Sequence, residues 1–72
     1  MIVEITAIGA AGARREFQTR IPNEPAPRES SDTTDVYLLE DVPSDRYSFY
    51  ADVLVKVGHV MGLSVEVKAT DS

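Results

Sequence analysis

The segment from Ser44 to Met61, SDRYSFYADVLVKVGHVM, constrains the fold of this chain more than any other. Alternation fails across Phe49-Tyr50-Ala51 and Val53-Leu54-Val55, so the segment does not read as a strand. At 100° per residue, Asp45, Ser48, Asp52, Lys56 and His59 fall on one polar stripe. Tyr47, Tyr50, Ala51, Leu54, Val57, Gly58 and Met61 fall opposite it. Ser44 stands where an N-cap belongs, and Asp45 suits the positive end of the helix dipole. Asp52 and Lys56 form a favourable i,i+4 pair, and Gly62 sits where a left-handed C′ residue belongs. Four valines (53, 55, 57 and 60) lower the intrinsic propensity, but the amphipathic pattern outweighs them.

The wheel leaves a remainder. Phe49, Val53 and Val60 lie together on the flank beside the polar stripe, and Val55 lies on the other flank. The apolar arc is wider than one sheet contact needs. With 72 residues in all, a single core barely offsets chain entropy. No cysteine is present, so no disulfide, thiolate nucleophile or cysteine-type zinc site can assist. Apolar and charged fractions of 43% and 26% are ordinary globular values and exclude wholesale disorder.

The remaining elements read as strands. Residues 1–8 alternate, with Met1, Val3, Ile5 and Ala7 on one face. Gly9 to Ala13 reads as a turn, and Arg14 to Ile21 alternates again, placing Phe17, Thr19 and Ile21 opposite Arg14, Glu16, Gln18 and Arg20. The expectation is an N-terminal hairpin pairing residue i with 22−i, which puts Ile5 opposite Phe17. A short helix over 12–20 is the competing reading, because Ala, Arg, Glu and Gln are good helix formers. Residues 22–35 hold three of the prolines and few apolar side chains, and are expected to form a flexible surface loop. Val36 to Val42 reads as a third strand, Leu63 to Ala69 as a fourth, and 70–72 as a tail. The sum is one α+β domain over 1–72. It is a two-layer fold with one helix packed on a small mixed four-stranded sheet, in the order β-β-β-α-β.

Charge narrows the partners. Residues 1–30 carry four Arg and four Glu; residues 31–72 carry three cations and eight acids, which is the whole net charge of −5. Such a surface repels a phosphate backbone and an anionic membrane, so neither nucleic acid nor membrane is an expected partner. No apolar run spans a bilayer and the N-terminus has no basic leader region, so a cytoplasmic location is expected.

No chemical motif assembles. Gly9-Ala10-Ala11-Gly12 follows a strand but lacks the third glycine and the βαβ unit of a dinucleotide turn. Arg14 and Arg15 beside it could at most hold an isolated anion weakly. His59 is the only histidine and has no second ligand at metal spacing. Glu40, Asp41 and Asp45 lack calcium-loop spacing, and the two aspartates suit a helix start. No catalytic, cofactor-binding or metal residue is expected.

The sequence therefore points to a small non-enzymatic interaction module. It would homodimerise or dock on a larger protein through Phe49, Val53 and Val60. An alternative is an acidic inhibitor or nucleic-acid mimic presenting residues 32–52 to a basic cleft. A third is a small ligand binder or enzyme with a pocket near Tyr37 and His59, under residues 22–35.

Overall fold

The computed structural model describes residues 1–70 of the chain, so most of the expected tail, 71–72, lies outside the described residues. Strand β1 (Val3–Ile8) leads into helix α1 (Ala11–Gln18), and a short strand β2 (Glu29–Ser30) turns directly into β3 (Thr34–Leu39). A single 3-10 turn, Ser44–Arg46, precedes helix α2 (Tyr47–Val60), and β4 (Ser64–Ala69) ends the sheet. The strands lie in the order β2-β3-β1-β4, each antiparallel to its neighbour. This is the connectivity of a split β-α-β unit, β-α-β-β-α-β. The two-layer α+β class stands as expected. The sheet is antiparallel rather than mixed, and β1 separates β3 from β4.

The expected N-terminal hairpin is replaced by a strand and a helix. Arg14, Phe17 and Ile21 are all buried, and their spacing of three and four residues is helical. Counting Arg14 as an outward polar residue hides that stripe and leaves a false alternation. Phe17 of α1 packs against Tyr37 of β3, with ring centroids 6.5 Å apart at an interplanar angle of 57°. The proline-rich connection also holds more structure than a surface loop. Its second half contains β2 and the start of β3, closed by a turn in which the Ser31 amide donates to the Thr34 carbonyl at 2.8 Å.

Helix α2 follows its wheel. Leu54 and Gly58 are buried, and Tyr47, Tyr50, Val57 and Met61 are half-buried against the core. Ser44 does not cap it. Ser44 opens the 3-10 turn instead, and Arg46 stands at the N-cap of α2 without a side-chain capping bond. The other end closes as a Schellman motif: Gly62 has φ of 80°, its amide donates to the His59 carbonyl, and the Leu63 amide donates to the Gly58 carbonyl at 2.8 Å. Gly58 lets α2 approach β4, because a Cβ there would collide with Val65.

One face of the sheet carries the core, with Val3, Ile5, Ala7 and Tyr37 each at most 1% exposed. The other face is open. Its rows follow from the register: Glu29, Val36, Thr6 and Glu66 lie across one line, and Leu38, Glu4 and Lys68 across the next.

Candidate interaction surface

The outward side of α2 carries the residues singled out by the wheel. Phe49 is 61% exposed, Val53 36% and Val60 85%, so the core does not use them. They recur at i, i+4 and i+11, the spacing of anchors on one side of a helix. The Phe49 ring stands tilted against Tyr50, centroids 6.2 Å apart. The stripe runs into a shallow groove between the helices, about 330 Å³ in volume, lined by Val57, Val60 and Met61 and rimmed by Glu16, Arg20 and Lys56. Surface ion pairs flank it, Lys56 with Asp52 at 3.2 Å and Arg20 with Glu16 at 3.8 Å. Exposed pairs of this kind contribute little to folding and leave charged groups free to meet a partner.

A second cluster lies inside the fold. Arg14 is 4% exposed and Asp35 7%, and their Nη1 and Oδ1 atoms stand 2.7 Å apart. Arg14 also donates from Nε to the Gly9 carbonyl and from Nη2 to the Asp32 carbonyl, at 2.9 and 2.6 Å. The Ser30 hydroxyl donates to the same Asp35 oxygen at 2.6 Å. The guanidinium thus joins α1 to β3 and to the β2–β3 turn. It is neutralised, so Arg14 is not the free anion-holding cation that its place beside Gly9-Ala10-Ala11-Gly12 suggested. Sequence reasoning missed this pair, whose members lie 21 residues apart. The helical spacing of Arg14 with Phe17 and Ile21 was the available signal.

Tyr37 completes the inner cluster. Its hydroxyl is buried and makes no hydrogen bond among the described residues. Burial, and next the Asp35 carboxylate, push its pKa above the usual 10.0, with Arg14 opposing. Asp35 acts on it through space rather than through a bond of good geometry. A ring fixed in the core cannot line a pocket with His59, which is exposed on the outer side of α2. Among the described residues, no three His, Cys, Asp or Glu side chains converge as a metal site would need.

The open sheet face is mixed. Glu4, Glu29 and Glu66 outnumber Lys68 there, and no aromatic ring stands in those rows. Among the described residues, no helix is long and apolar enough to cross a membrane. No family model, curated protein or solved structure matches the chain.

Proposed function

We infer that the chain is a non-enzymatic protein-interaction module that seats the outer stripe of α2 in an apolar groove of a larger protein. The observation that carries this is the exposure of Phe49, Val53 and Val60 on a helix whose inner side already fills the core. Covering the exposed parts of these side chains returns at most roughly 1.5–3 kcal/mol each, less for Val53, before the costs of association. Three side chains fall well short of the ~800 Å² per partner of a standard interface. The stripe therefore suits a set of helix anchors in a partner's groove better than a self-sufficient symmetric contact. The acidic reading of residues 32–52 is weaker, because Asp35 is spent internally on Arg14.

The test is recovery of proteins from native-host lysate on immobilised wild type and on a Phe49→Lys/Val60→Lys variant of matching circular dichroism. The double variant is expected to lose a protein that the wild type retains. Equal recovery on both, or no protein retained by the wild type, overturns the reading.

A further inference from the structure

The two edges of the sheet differ. The β2 edge is two residues long and follows a proline-rich approach, a common protection against strand addition. The β4 edge is six residues long, Ser64–Ala69, without proline. Its ladder phase is fixed by the Thr70 amide, which donates to the Ile2 carbonyl at 2.9 Å. With β1 and β4 pairing Val3 to Ala69 and Glu4 to Lys68, the even residues of β4 bond inward. The N–H and C=O groups of Val65, Val67 and Ala69 therefore point out of the sheet.

We propose that this edge pairs antiparallel with β4 of a second copy, making one continuous eight-stranded sheet about a twofold axis at Val67. In that register Val67 faces Val67 of the second copy, Val65 faces Ala69, and Glu66 faces Lys68. All three outward residues exchange backbone hydrogen bonds, and two opposite-charge pairs form on the open face. The choice of register follows from charge. A shift one way sets Glu66 against itself, and a shift the other way sets Lys68 against itself, with like charges directly opposed. Registers that pair odd with even residues face outward groups with inward ones. Among the described residues Glu66 makes no ion pair, whereas Lys68 holds Glu4 at 3.5 Å and stands beside the seam. Val55 is 39% exposed, on the flank of α2 opposite the Val57 and Val60 side that meets α1, and would add apolar area beside the seam. This surface is separate from the Phe49–Val60 stripe, so the dimer leaves the proposed docking face free.

Multi-angle light scattering of the full chain across concentration tests this, with Glu66→Lys and Lys68→Glu variants run alone and mixed. The wild type is expected to reach twice its 7.9 kDa. Each variant alone opposes like charges and is expected to dimerise at least about tenfold more weakly. Their one-to-one mixture again sets a lysine against a glutamate at both paired positions and is expected to recover the dimer. Amides of Val65, Val67 and Ala69 should exchange slowly only where the chain is dimeric, and Phe49→Lys/Val60→Lys should dimerise like the wild type. A wild type monomeric at millimolar concentration overturns the proposal, and so does a dimer indifferent to both charge variants. Loss of the dimer in the stripe variant would instead place the contact on α2.

Discussion

At the scale of single residues, the Arg14–Asp35 pair is as sensitive to truncation as a large core side chain. Both groups have left water, so removing one strands the other. Asp35→Ala should cost about 3–5 kcal/mol in denaturant unfolding. A chain of this length has only roughly 4–11 kcal/mol in total. Replacing both with apolar residues, Arg14→Met with Asp35→Val, should cost less than either single change in a double-mutant cycle, since no charge is then buried alone. Tyr37 makes the opposite expectation. Its hydroxyl is buried without a partner among the described residues, so Tyr37→Phe should leave stability unchanged or raise it by about 1 kcal/mol. The sign of its pH dependence is fixed by the raised pKa. The folded chain holds this proton more tightly than the unfolded chain does. Its contribution is fully present below about pH 10 and is lost as pH rises through the higher folded-state value. Chemical unfolding between pH 8 and 11 should show that loss in the wild type and a smaller one in Tyr37→Phe.

At the scale of elements, α2 and the flanking strands β1 and β4 were legible because each shows one clean period. Their burial follows the wheel and the alternation nearly residue by residue. Helix α1 was not legible, because a buried arginine breaks the rule that charges face water, and its partner lies in a distant strand. The two-residue β2 is too short to carry any period. Phe49, Val53 and Val60 were readable as surplus from the wheel alone. The free edge of β4 was not, because it depends on which strand ends the sheet. Gly58 sets the distance between α2 and β4. Gly58→Ala should destabilise by about 1–3 kcal/mol despite the better helix propensity of alanine, because its Cβ meets the Val65 side chain. Adding Val65→Ala should recover part of that loss in thermal unfolding, which a pure helix-propensity effect would not allow.

At the scale of the whole molecule, the core is small and the β4 edge carries no strand partner within the described residues. If copies pair through β4, folding is linked to association by mass action. The melting temperature of the wild type should then rise with protein concentration, while that of Glu66→Lys should begin to rise only at concentrations about tenfold or more higher, as calorimetry at several concentrations can read. On this view the molecule has two separate surfaces, one apolar and helical for a different protein, one strand edge for itself. A photo-crosslinking residue placed at position 49, with position 29 as a control outside both surfaces, and expressed in the native host tests the docking role most directly. Position 49 should give a discrete adduct heavier than two copies of the chain, and position 29, on the open sheet face, should give none. Recovery of only the uncrosslinked chain or its self-dimer from position 49 would contradict the docking role of α2.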